Sequence, residues 1–174
     1  MSNKTLSVQR IPQYETAWCW AAAAEMVLKY YHRRGVRQCR LANDRFNRND
    51  CCPRSTMPDA CNDGVSDLDI GSVYTEWQID ETMHVGPVGF TDLKDEIDGE
   101  RPVEVGYKLY GDGDYGHAVI VIGYDEDEYG EFVTVNDPDP FRRSGDLPMQ
   151  DFESADGRGY WWRTWTGIEP TMKD

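Results

Sequence analysis

Cys19 stands apart from the chain's other four cysteines, and the residues that follow it, WAAAAEMVL, read as a helix. A thiol at a helix N-terminus meets unpaired N–H groups and the positive end of the helix dipole, which favour a thiolate. A thiolate so placed is a ready nucleophile. Gln13 lies six residues before Cys19. Its amide can donate a hydrogen bond to a developing oxyanion, beside the Cys19 backbone N–H. Such a nucleophile needs a base, and the chain has three histidines. His32 is 13 residues along the same helix. At the α-helical rise that is about 20 Å from Cys19, far outside hydrogen-bond reach. His84 falls in HVGPVG, a turn-like stretch. His117 follows the glycine-rich loop GDGDYG and opens the β-branched run HAVIVIG. That places a polar ring at a strand end, facing a cleft, so His117 is the expected base. A base needs a partner that fixes its tautomer. The segment EFVTVNDPDP, pairing antiparallel with 117–123, brings Asn136 and Asp137 back beside His117. Adjacent strand residues face opposite sides, so only one of the two can reach the ring.

The elements that carry these residues follow from pattern. Residues 5–15 are extended, with Pro12 stopping a helix. Thr16 is the expected N-cap of a helix over 19–32. That helix is apolar almost all round and so belongs in the middle of a domain, with Gly35 as its stop signal. A short helix is expected over 36–43, then a cysteine-rich loop over 44–64. Ser66 and Asp69 resemble a capping box for a helix running to about Trp77. Thr91 is expected to cap a short helix ending before Gly99. Strand signatures then take over at 102–109, 117–123, 132–135 and 160–168, with DEDEYGE as a polar turn. Helices first and an antiparallel sheet second make an α+β layout. The 174 residues suit one domain over 1–174, with no repeat period. Trp161, Trp162 and Trp165 are expected in the sheet core, or as the wall of a subsite.

Composition narrows the function classes. The net charge of −14 disfavours a nucleic-acid binder, which needs a basic footprint. The longest apolar stretch is too short to span a bilayer. The N-terminus carries no Sec-type signal pattern. The cysteines number five, with Cys39, Cys51, Cys52 and Cys61 clustered and Cys19 left over. One functional thiol plus two disulfides fits this count. Zinc fits poorly: no CxxC pair exists, and adjacent cysteines make an awkward tetrahedral site. Neighbouring cysteines do not readily pair with each other. Two connectivities stay open: 39–51 with 52–61, or 39–52 with 51–61. Disulfides imply an oxidising compartment, so a secreted or otherwise exported protein is expected, by way of a leader that this sequence lacks or of a dedicated secretion system.

QYETAWCWAA resembles the Gln-x5-Cys-Trp segment of papain-like cysteine peptidases, and GHAVIVIGYD and FVTVNDPDP resemble their His and Asn/Asp strands. The likeness spans most of the chain, in the family's Cys–His–Asp order. It is nearest to the compact bacterial branch, similar to bacteriocin-leader peptidases and to avirulence proteases secreted by plant pathogens. In that branch an Asp before Pro orients the histidine, so the resemblance implies Asp137 rather than Asn136. The Asn-Ser-Trp-Gly motif of the larger enzymes is replaced here by Asp-Pro-Asp-Pro. The implied protein is a monomeric cysteine endopeptidase acting on a peptide or protein, with catalytic Cys19, His117, Asp137 and Gln13 and no metal or cofactor. Two other readings share the motif: an acyl- or amide-transferring enzyme (transglutaminase-like or deamidating), and a degenerate binding module. In a papain-like fold the cleft runs between the helical and sheet halves. Residues 1–54 hold 10 basic and 4 acidic side chains, and residues 55–174 hold 8 and 28. A basic wall facing an acidic wall is therefore expected, with a preference for basic substrates.

Overall fold

The computed structural model describes residues 2–111, 113 and 116–172; three residues of the loop before His117 (Asp112, Asp114 and Tyr115) lie outside them. The helices are α1 (Cys19–Tyr30), α2 (Gln38–Phe46), α3 (Asp67–Glu76), α4 (Phe90–Asp98) and α5 (Met149–Glu153). The strands are β1 (Ser2–Thr5), β2 (Ile79–Val85), β3 (Val103–Leu109), β4 (Gly116–Asp127), β5 (Gly130–Asn136), β6 (Gly145–Pro148) and β7 (Gly159–Pro170). The strand order is β2-β7-β3-β4-β5-β6, antiparallel throughout, and β1 pairs with the far end of β4.

α1 buries every residue from Trp20 to Leu28. Its four alanines let it lie close across β4, with α2 and α3 beside it. The continuous apolar run of β4, buried from His117 to Tyr124, reflects cover on both faces, by α1 and by α4. Gly123 is required where β1 crosses: a Cβ there would stand 2.7 Å from the Lys4 carbonyl oxygen.

Several boundaries differ from expectation, each for a local reason. α1 ends at Tyr30 rather than 32, because His32 takes the left-handed φ of 58°. The N–H groups of His32 and Arg33 then bond Lys29 and Leu28, closing a Schellman motif three residues before Gly35. Thr16 does not cap α1; Trp18 holds the N-cap position, and no side chain caps it. Gly89, not Thr91, is the N-cap of α4, with Asp92 accepting its N–H. β1, β2, β6 and α5 were not expected as elements. His84 and Val85 are strand rather than turn, closing β2 against β7, whereas the rest of HVGPVG, 86–89, lies outside any helix or strand. Ser66 and Asp69 do form the capping box of α3.

Candidate active site

Cys19 is the first residue of α1, and no side chain among the described residues caps the helix at Trp18. The turn before it is held from within. Trp18 N–H bonds the Glu15 carbonyl at 3.2 Å, and the indole of Trp18 is fully buried. Cys19 itself is partly exposed and is the one free cysteine.

His117 stands at the start of β4, 7% exposed, where the strand leaves the core. Its Nε2 lies 2.8 Å from Asp137 Oδ1 at the end of β5. Cys19 bonds the same imidazole, which leaves Nδ1 as the nitrogen for the thiol. Burial alone would depress the imidazole's pKa. The bonds to Asp137 and Cys19, and the charges behind them, outweigh it and push the ring up to about 9. A ring so placed holds a proton at neutral pH and can sit as an imidazolium between two acids.

The turn after β5 explains why Asp137 faces the ring. Its Oδ1 also accepts the Asp139 N–H at 2.8 Å, and its own N–H donates to Ser144 Oγ at 2.9 Å. Asn136 points the other way, with Nδ2 on the Val8 carbonyl at 2.9 Å. His32 and His84 are not at the site. His84 Nε2 lies 2.7 Å from Thr166 Oγ1, across β2 and β7.

Cys19, His117 and Gln13 line one cleft of ≈ 880 Å³ between the helical and sheet halves. Gln13 Nε2 donates to the carbonyls of Glu15 (3.0 Å) and Thr16 (2.9 Å), while its buried Oε1 has no partner among the described residues. The charged walls do not match the expected split. The lining residues from 1–54 are uncharged. The helical-side charges are Asp63 and Asp67, and the sheet side brings Lys108, Asp139 and Arg142. Asp67 pairs with Arg163, and Asp139 with Arg142, both at 3.1 Å. The net charge of residues 1–54 sits mostly on arginines outside the cleft.

The profile of the Peptidase C39-like family matches residues 5–164. The chain belongs to the Peptidase C39-like family. No curated protein sequence matches it. Among solved structures, this C39-like chain resembles the peptidase domain of Streptococcus ComA, a bifunctional ABC transporter of a quorum-sensing pathway. The TM-score is 0.64 at 18% identity, covering 94% of this chain and 98% of that one. It also resembles a double-glycine-motif protease from an AMS/PCAT transporter, solved with its leader peptide, at TM-score 0.58 and 18% identity over 96% and 94% of the two chains. A structure from work on the mite allergens Blo t 1 and Der p 1 aligns at TM-score 0.57 and 14% identity, over 95% of this chain and 71% of that one. The fold is that of the papain-like cysteine peptidases.

The cysteine-rich loop of the C39-like chain is tied by Cys39–Cys52 and Cys51–Cys61, with Cα separations of 5.4 and 5.6 Å. The pairing is thus the second of the two open alternatives. The loop's far end reaches the site, which sequence reasoning missed. Asn62 Oδ1 accepts the Ala17 N–H, and its Nδ2 donates to Thr16 Oγ1, both at 2.9 Å. Trp18 Nε1 bonds the Cys61 carbonyl at 2.7 Å, and Trp20 Nε1 that of Asp63 at 3.1 Å. Residues 61–63 therefore grip the backbone and rings on both sides of Cys19. A strand irregularity was also missed. The β3–β7 register shifts at Gly106/Tyr107, and Trp162 is the extra residue. The bulge turns it to the cleft, where Nε1 bonds Asp67 at 3.0 Å. Trp161 and Trp165 are core, although Trp165 also floors the cleft. No signal in sequence marks either device, since both depend on segments distant along the chain.

Proposed function

We propose that the protein is a cysteine endopeptidase using Cys19, His117 and Asp137, with Gln13 and the Cys19 N–H as oxyanion donors. The observation that carries this reading is the run of contacts from Cys19 through the buried imidazole to Asp137, opening on one cleft. The Cys19 thiolate attacks the peptide carbonyl carbon, forming a C–S bond and an oxyanion. His117 gives its proton to the leaving amine as the C–N bond breaks. Water then attacks the thioester, losing a proton to His117, and the C–S bond breaks to restore the ion pair. Asp137 keeps Nε2–H engaged and holds the imidazole's orientation, so that Nδ1 faces sulfur.

Gln13 serves this scheme by an exchange of partners. Its Nε2 protons are held by two neutral carbonyls before reaction. Turning one to an oxyanion replaces a neutral bond by a charge-assisted one, roughly twice as strong. The gain exists only when charge develops, which is how a donor accelerates chemistry rather than binding. No metal or cofactor enters this chemistry, the working unit is a monomer, and the two disulfides fit an exported protein. Among the described residues no helix is long and apolar enough to cross a membrane. The test is a substrate-profiling digest of a peptide library, with Cys19→Ala protein as control. New termini that depend on Cys19 support hydrolysis. Products carrying an amine acceptor would point to acyl transfer, and no product of either kind to a binding module.

A further inference from the structure

Gln38 is a fully buried polar side chain, outside the set of residues that line the cleft. Its three hydrogen bonds converge on one place. Oε1 accepts the Tyr14 N–H at 2.9 Å, and Nε2 donates to the Pro12 carbonyl at 2.9 Å. These are the backbone groups on either side of Gln13. The remaining Nε2 proton goes to Glu25 Oε2 at 3.1 Å, on α1. Glu25 is itself buried, and its other oxygen pairs with Lys29 at 2.6 Å. The same segment is held from the sheet side. Gln13 N–H bonds the Pro138 carbonyl at 2.8 Å, and Arg10 Nε bonds that of Asp137 at 2.7 Å. Residues 12, 13 and 14 are thus pinned in succession, the outer two by a single amide.

We infer that Gln38 is a positioning residue that sets Gln13 for oxyanion donation. The inference rests on the peptidase reading above. An amide is suited to the task because it alone among side chains offers an acceptor and two donors on one rigid plane. It can span Tyr14 N–H and Pro12 C=O and still anchor to α1 through Glu25. The anchor matters because α1 also carries Cys19, so both oxyanion donors are referred to one helix. A displacement near 1 Å from outside the chemistry is enough to lower turnover by about 10²-fold.

The test uses the full chain with Gln38→Met, which keeps length and removes every bond, and Gln38→Asn, which keeps the amide but falls a methylene short. Circular dichroism establishes that each is folded, and if Gln38→Met is not, Gln38→Asn carries the comparison. On a peptide that the wild type cleaves, kcat should fall about 10-fold or more while KM stays within about 2-fold, because donation to the oxyanion is a transition-state interaction. In a Gln13→Ala background the Gln38 substitution should cost nothing further, since the group it positions is gone. Iodoacetamide alkylation of Cys19 should keep its wild-type pH profile. A kcat loss as large without Gln13 as with it, or an unchanged kcat, overturns the inference. Hydrogen exchange gives a readout independent of turnover. The Gln13 and Tyr14 amides should lose protection in the variant while those of Ala22–Val27 keep theirs, and unchanged protection at 13 and 14 overturns the inference. Wild-type protein that cleaves nothing would instead refute the peptidase reading, leaving exchange to decide the positioning role.

Discussion

At the scale of single residues, the proposed division of one task among Cys19, His117 and Asp137 is measurable at each member. Cys19→Ala should abolish turnover with the melting temperature kept, and iodoacetamide should label Cys19 before any other residue. The pH profile should reflect His117. Its ring is raised from 6.5 to about 9, against burial, by Asp137 and Cys19. The stability from that pairing is full below the unfolded value and is lost as pH rises through about 9. Turnover that depends on the charged pair should therefore show its alkaline limb near 9, read from kcat/KM against pH. A limb near the free-imidazole value would contradict the pairing. Asp137→Ala should lose about 10-fold or more, with the roughly 10²–10⁴ of general acid–base catalysis as the upper scale, and Asp137→Asn should keep measurable activity. His84→Ala should be close to wild type in rate, because its partner is Thr166.

At the scale of elements, the disulfide-tied loop is the support of the α1 N-terminus. Each bridge contributes about 2–4 kcal/mol by restricting the unfolded chain. The Cys51–Cys61 bridge does more, because Cys61 and the two residues after it hold Trp18, Ala17 and Trp20. Activity against dithiothreitol should rise as Cys19 is kept reduced, then fall as the bridges open. Alkylation without reductant should find one free thiol by intact mass, and peptide mapping should recover 39–52 and 51–61. Asn62→Ala leaves the Ala17 N–H without its partner, at a cost of about 1–3 kcal/mol. It should lower both melting temperature and kcat. A variant that loses stability alone would show that the loop braces the fold without reaching the chemistry.

At the scale of the whole molecule, one buried acid ties the sheet to α3. Glu104 on β3 is fully buried and bonds Tyr74 OH. Burial raises its pKa to about 8; the Tyr74 bond opposes this and Glu81 adds to it. Glu104 is therefore protonated in the folded chain at neutral pH and ionised in the unfolded one. The unfolded state binds fewer protons over that range, so stability falls as pH rises from about 4.5 to about 8. Thermal unfolding should show this slope, and Glu104→Gln should flatten it. The charge of −14 has less to do with selection than its size suggests. Two of the cleft's carboxylates are already paired with arginines. The turnover of a basic peptide relative to its neutral analogue should stay flat from low salt to about 1 M, where the screening length is only about 3 Å. A steep fall would restore an electrostatic role for the cleft walls.

What the sequence determined by itself was the fold class, the family resemblance and the order of the candidate residues along the chain. The spacing of Gln13 and Cys19, the apolar helix behind them, and the alternation from 102 onward are local patterns, and local patterns carry helix and strand periods. They led to an α+β layout, a papain-like resemblance, and Cys19, His117 and Asp137 as the residues to watch. Only tertiary structure decided the rest, because each remaining choice lies between segments far apart in sequence. β7 enters the sheet between β2 and β3, so β2 has no partner until the chain's last strand exists. That is why IDETMHV, with polar residues on both faces, did not read as a strand. The cystine pairing depends on how the loop folds over α2, which the spacing of four cysteines leaves open. The grip of Asn62 on Ala17 spans 45 residues and that of Gln38 on Pro12 spans 26. A buried amide has no periodic signature; its partners exist only once α2 has packed against the segment that carries Gln13.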